Sequence, residues 1–213
     1  MVLPRCFKWS RNCLQLIISR YCHNDSLSTL DMKDNNSNDH IVWLDMEMSG
    51  LDVNTSHILE VACLITDKQL KIISEDLNIV IHQPEEVLKN MSDWCMINHQ
   101  KTGLIGDSES SKITVQDAEQ ILLNYLEKHV TKGTCPIAGS SVYMDRMFLH
   151  KYMPAVNNYL HYRIIDTSTV KELIKRWNLS VPKLTKEHSH RALSDIKESI
   201  KELEHYKRYI FNV

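Results

Sequence analysis

"IVWLDMEMSGLD", residues 41–52, is one of the most apolar runs in the chain. It opens as an apolar β-forming run and ends in two acids, Asp45 and Glu47, with one residue between them. In a strand, residues i and i+2 point to the same side, so these two carboxylates share a face and lie within several ångströms of each other. Taken alone the pair fits a solvent-exposed strand end. If it is buried, its repulsion must be offset by a basic partner, a shared proton or a bound cation, and the rest of the chain has to choose among them.

Two more β-rich segments follow closely, "HILEVACLITD" (57–67) and a stretch within "KIISEDLNIVIHQ" (71–83), with Gly50 and the polar 67–69 as breaks. Such short connections predict an antiparallel meander. Helical patterns come next. "EEVLKNMSDWCMINHQ" reads as one helix ending before Gly103, and "TVQDAEQILLNYLEKHV" opens on a Thr114/Asp117 capping pattern and repeats Ala118, Ile121, Leu122, Tyr125 and Leu126 at helical spacing. "CPIAGSSV" reads as a strand, "MDRMFLHKYM" as a helix stopped by Pro154, "RIIDTS" as a strand, and "TVKELIKRW" and "RALSDIKESIKELEHYKRYI" as helices. The pattern predicts an α/β fold in which the later strands run parallel to the first.

Upstream, "MVLPRCFKWSRNCLQLIISRYCHN" is basic and contains no acid before Asp25. With the polar linker after it, residues 1–35 read as a mitochondrial leader ahead of a folded body at 36–213, which predicts a matrix protein; a further cytosolic or nuclear pool is compatible with this. No apolar run approaches the roughly 18–20 residues that span a bilayer, so no membrane partner is expected. The six cysteines (6, 13, 22, 63, 95 and 135) form no C-x-x-C pair, which argues against a zinc site or a disulfide framework. The formal charge of −2 hides an asymmetry: residues 1–30 carry four basic groups against one acid, leaving 21 basic against 26 acidic groups, or −5, for the remainder. A body this acidic is a poor binder of long polyanions, so any nucleic acid it handles should be short.

Two further acids complete a constellation. Asp145 follows the strand "CPIAGSSV" at the opening of a helix. Asp195 lies in the last helix about 100° from Ile196, at the border of a stripe made by Leu193, Ile196, Ile200, Leu203 and Ile210. His190 stands five residues earlier, about 140° away on a regular helix, and can share the site if it lies at or before the first turn. Four carboxylates near one histidine cannot all be ionised without cations. Hard oxygen donors suit Mg²⁺ or Mn²⁺, and two such ions roughly 3.5–4 Å apart serve phosphodiester hydrolysis.

"LDMEMSGLD", "AGSSVYMDRMFL", "HYRIIDTSTVKEL" and "HRALSDIKESI", together with "MSDWCMINH" and "KYMP", resemble the motifs of oligoribonuclease, the DEDDh-type 3′-to-5′ exonuclease family of the ribonuclease-H-like superfamily, in its animal mitochondrial form. The resemblance implies a mixed five-stranded sheet flanked by helices, and a homodimer that degrades very short RNAs, dinucleotides above all, to nucleoside 5′-monophosphates. It assigns Asp45, Glu47, Asp145 and Asp195 as ligands of two Mg²⁺ or Mn²⁺ ions and His190, rather than His188, as general base. It assigns Leu51 as a wedge between bases, Trp94 and His99 as neighbours of the 3′ nucleotide, and Ser141, Tyr162, Arg163 and Ser168 as a cap on the 5′ phosphate, part of it supplied by the second subunit. Ser140, Tyr143 and Ser194 depart from the residues common in that family. Competing readings are a related exonuclease acting on longer RNA or DNA, a catalytically silent nucleotide-binding protein, and a two-carboxylate glycosidase. The last leaves Asp145, Asp195 and His190 unexplained.

Overall fold

The computed structural model describes residues 39–185 and 190–211. The leader and linker, and His188, lie outside them. Five strands form one sheet in the order β3-β2-β1-β4-β5. β1 (Ile41–Met48) pairs antiparallel with β2 (Ile58–Thr66), which pairs antiparallel with β3 (Leu77–Val80). β4 (Ile137–Gly139) and β5 (Ile164–Asp166) then add in parallel on the other side of β1. The meander and the later parallel strands are those the sequence predicts.

Alternation along β1 sorts its side chains into two layers. Val42, Leu44 and Met46 face a core shared with Leu122 and Leu126 of α4 (Val115–His129) and Phe148 and Leu149 of α5 (Tyr143–Tyr152). Trp43 faces the opposite core, with Ala62 and Leu64 of β2 and Ile196 and Ile200 of α8 (Ala192–Tyr206). Asp45 and Glu47 have the parity of Trp43. The strand therefore delivers both acids to the layer where α8 brings Asp195.

Several helices differ from the sequence reading. The pattern at 85–100 is two helices, α1 (Glu85–Lys89) and α2 (Asp93–Lys101), because the Ser92 hydroxyl accepts from the Cys95 N–H and starts a new helix. Gly103, at φ 77°, ends α2 but is followed by α3 (Leu104–Ser110). Pro154 stops α5 and also occupies the first turn of α6 (Pro154–Tyr159), where its missing N–H costs nothing. α7 (Thr167–Arg176) starts two residues before the predicted "TVKELIKRW", taking Thr167 and Ser168 from the predicted strand, because the Asp166 carboxylate accepts from the Ser168 N–H and caps the helix there. Ile121 is 39% exposed at the edge of the α4 stripe. Ile210 lies outside the α8 stripe, since the chain widens into a π-helical turn at Lys207–Phe211 that buries none of its residues; the last buried positions of α8 are Glu202 and Tyr206, joined by a 2.8 Å hydrogen bond.

Candidate active site

One carboxylate oxygen from each of Asp45, Glu47 and Asp195 can be chosen so that all three lie within 4.8 Å of one another. They open onto a cleft of about 590 Å³, also lined by Leu51, Trp94, Cys95, His99, Ser140, Lys171 and His190, a size suited to a small ligand. The acids crowd further because the β1–β2 register sets Glu47 directly opposite Glu60, on the same face. Burial and then its acidic neighbours Asp145, Glu47 and Asp195 hold the Asp45 carboxyl well above the usual carboxylate range. Glu47 is pushed up to about 8, first by burial and then by Asp195 and Glu60.

Asp145, 5% exposed in the first turn of α5, does not line the cleft. Its Oδ1 accepts a 2.9 Å hydrogen bond from the Met46 N–H, between the two β1 acids, and burial pushes its pKa up to about 8. Its charge nonetheless reaches Asp45. The structure thus gathers three of the four sequence-predicted acids in one ligand-sized cluster and sets the fourth against the strand backbone beside them.

His190 precedes the first turn of α8 at φ 51°, a left-handed conformation that non-glycine residues rarely adopt. Its ring meets Trp94 edge-on, with centroids 5.5 Å apart, and Trp94 itself is 59% exposed at the rim. Leu51 stands 68% exposed at the same cleft. His99 differs from both: it is 1% exposed, its Nε2 lies 3.0 Å from the Met48 carbonyl oxygen, and its Nδ1 lies 3.8 Å from Glu47 with no hydrogen-bond partner. Nε2 is therefore the protonated nitrogen, and burial lowers the pKa of the ring.

At the carboxyl end of β4, Gly139 passes so close to β1 that a Cβ there would sit 2.8 Å from the Leu44 carbonyl oxygen. The chain then turns through Ser141 at φ 58°. The Ser141 N–H donates to Asp166 Oδ1 (2.9 Å) and lies 3.0 Å from Ser168 Oγ, while Ser168 donates through both its N–H and its hydroxyl to Asp166. Ser141 and Ser168 are thus brought together, and Asp166, which sequence reasoning passed over, holds them. The signal was its place before two hydroxyl residues in "RIIDTS", an N-cap pattern. Tyr162 and Arg163 do not line this cleft. Tyr162 is 73% exposed, with the Arg163 guanidinium 5.2 Å from its ring centre.

The donor set fits a divalent cation. Three converging carboxylates offer only hard oxygen donors, and burial followed by mutual repulsion raises the proton affinity of Asp45 and Glu47, a penalty on the charged forms that a metal would relieve. Residues 42–203 match the RNase_T family, described as an exonuclease. A probable oligoribonuclease of Dictyostelium discoideum is 50% identical over 177 residues, covering 83% of this chain and 93% of its own length. The mitochondrial oligoribonuclease of Homo sapiens is 51% identical over 175 residues, covering 80% of this chain and 73% of that protein. Among solved structures, the exonuclease I of Methylocaldum szegediense agrees in fold, with a TM-score of 0.61 at 16% identity over 80% of this chain and 41% of that one. Identity of one half along nearly the whole folded body goes far beyond what a shared fold requires, and the chain belongs to the oligoribonuclease family of RNase_T exonucleases.

Proposed function

We propose that this metal-dependent exoribonuclease works from the 3′ end on very short oligoribonucleotides, dinucleotides above all, and releases nucleoside 5′-monophosphates. The observation that carries the reading is the convergence of Asp45, Glu47 and Asp195 in one cleft with His190. Asp45, Glu47, Asp195 and the adjacent Asp145 would hold two Mg²⁺ or Mn²⁺ ions, which when bound supply charge stabilisation for the attacking and leaving oxygens. His190 takes the proton from the attacking water, a role suited to an imidazole near neutral pH. Leu51 and Trp94 offer the bases apolar and aromatic faces at the rim, contacts that need no sequence preference. His99, buried behind Glu47, borders the 3′ nucleotide. Ser141 and Ser168 form a polar cap for the 5′ phosphate, completed in a homodimer by Tyr162 and Arg163 of the second subunit. The mitochondrial names of animal relatives support the same location for this chain.

A length series tests the reading. The full chain is incubated with Mg²⁺ and 5′-phosphorylated RNAs of two, three, five and about twenty nucleotides, alongside an EDTA control. The dimer should be converted rapidly to mononucleotides, the longest RNA slowly, and neither in EDTA. Equal efficiency on the longest RNA would move the protein to the trimming and proofreading exonucleases. Hydrolysis unaffected by EDTA would remove the metal mechanism.

A further inference from the structure

Glu60 is an acid inside the apolar strand "ILEVACLIT", fully buried, and directly opposite Glu47. Two acids opposed across an antiparallel pair repel, and a buried carboxylate without partners is strongly destabilising. Its partner is Arg191. The Arg191 Nε donates to both Glu60 oxygens (3.1 and 3.2 Å), and Nη2 donates to Oε1 at 2.7 Å. Asn78 Nδ2 and the Ala192 N–H complete the set at 3.0 Å each. The remaining arm, Nη1, reaches Asp107 Oδ2 on α3 at 3.0 Å and the Thr102 carbonyl after α2 at 3.3 Å. One guanidinium therefore ties the start of α8 to β2 and to the α2–α3 junction.

The placement of that tie matters for the reaction. The residue immediately before it is His190, in its left-handed conformation. The residue four positions after it is Asp195, whose N–H donates to the Arg191 carbonyl at 3.1 Å. A left-handed non-glycine residue persists only where its surroundings over-determine it. We propose that Arg191, clamped by Glu60, is a positioning residue for the site. It fixes where the His190 ring and the Asp195 carboxylate enter the cleft, and it touches neither substrate nor metal. The same contact relieves the charge of Glu60 behind Glu47. Lysine cannot replace it, because a single ammonium cannot address Glu60 and Asp107 in the fixed directions of the guanidinium fork.

The proposal rests on His190 acting as the base, so the experiment includes His190→Ala. kcat and KM for a 5′-phosphorylated dinucleotide, calorimetric Mn²⁺ binding and Tm are measured on the full chain for the wild type, Arg191→Lys, Glu60→Gln, their double variant and Asp107→Asn. Arg191→Lys should lower kcat by about 10–100-fold, the usual cost of losing an outer orienting partner, with KM and Mn²⁺ affinity within about threefold of wild type. The double variant should lose little more than Arg191→Lys alone, because one interaction is removed twice. Asp107→Asn alters one exposed arm, so it keeps the test open if the others fail to fold; it should lower kcat severalfold without changing KM. A folded Arg191→Lys variant with unchanged kcat would overturn the clamp, as would a KM that rises in step with the kcat loss, or activity restored merely by cooling below its Tm. If His190→Ala keeps full activity, the base assignment falls and the clamp falls with it; a slow His190→Ala beside an unaffected Arg191→Lys sinks the clamp alone.

Discussion

Asp45, Glu47 and Asp145 each hold a proton more tightly in the folded chain than an ordinary carboxyl does, with burial the largest cause in each case. For Glu47 the shift runs from 4.5 to about 8. Between those values the folded state binds more protons than the unfolded chain, so stability falls as pH rises through the window and levels off above about 8. In EDTA, Tm should therefore decline from about pH 5 to about pH 8, and Mn²⁺ should raise Tm more at the upper pH, where the carboxylates are bare. A Tm that climbs over this range in EDTA would contradict the charge crowding. Asp45→Asn removes one of the repelling charges: it should raise Tm in EDTA at pH 8 and lower kcat by more than the roughly 10–100-fold lost with an outer partner. Local spacing makes such residues legible in sequence, since D-x-E on a strand and an acid one turn into a helix declare shared faces. Glu60, Arg191 and the tie of Asp166 to Ser141 were not legible. Their roles depend on pairings 131 and 25 residues apart that only the folded register creates. The burial of His99 was equally hidden, because the polar face of a short helix gives no sign of which neighbour will cover it.

α4 and β4 separate stability from function. The Thr114/Asp117 capping box that starts α4 is complete, and it lies on the solvent side of the fold away from the cleft. Thr114→Ala should cost about 1 kcal/mol in denaturant unfolding and leave kcat and KM unchanged. Gly139→Ala should behave differently. Its Cβ would meet the Leu44 carbonyl oxygen at 2.8 Å and Val142 at 3.2 Å, so β4 must shift from β1 at a cost of about 1–3 kcal/mol. That shift carries Ser141 and Asp145 with it, so kcat should fall as well; unchanged turnover would mean that the β1–β4 spacing does not set the site. These two elements also show what patterning can give. The cap and the amphipathic stripe of α4 are local, and the sequence reading of that helix agrees with the structure. The break at Asn90–Ser92, α3 and α6 escaped it because each is at most nine residues long and its boundaries are set by what it packs against.

At the scale of the whole molecule, charge limits the substrate. Beyond residue 30 the chain carries a net −5, and among the described residues that line the cleft Lys171 is the only lysine or arginine. An enzyme that tracked a long strand would need many phosphate contacts, each releasing counterions, and its affinity would fall by about 10³–10⁵ between 50 and 200 mM salt for 6–10 contacts. A site that meets only two phosphates follows a slope of about −0.7 per phosphate, which over the same range is less than about tenfold. KM for a 5′-phosphorylated dinucleotide, measured at constant free Mg²⁺ across that salt range, should therefore change by less than about tenfold. A slope several times steeper would require a basic surface outside this cleft and would favour long nucleic acid as the substrate. A shallow slope for the dimer, together with a similarly shallow one for the twenty-nucleotide RNA, would mean that even the longer strand is held only through its last two nucleotides, leaving the rest in solution.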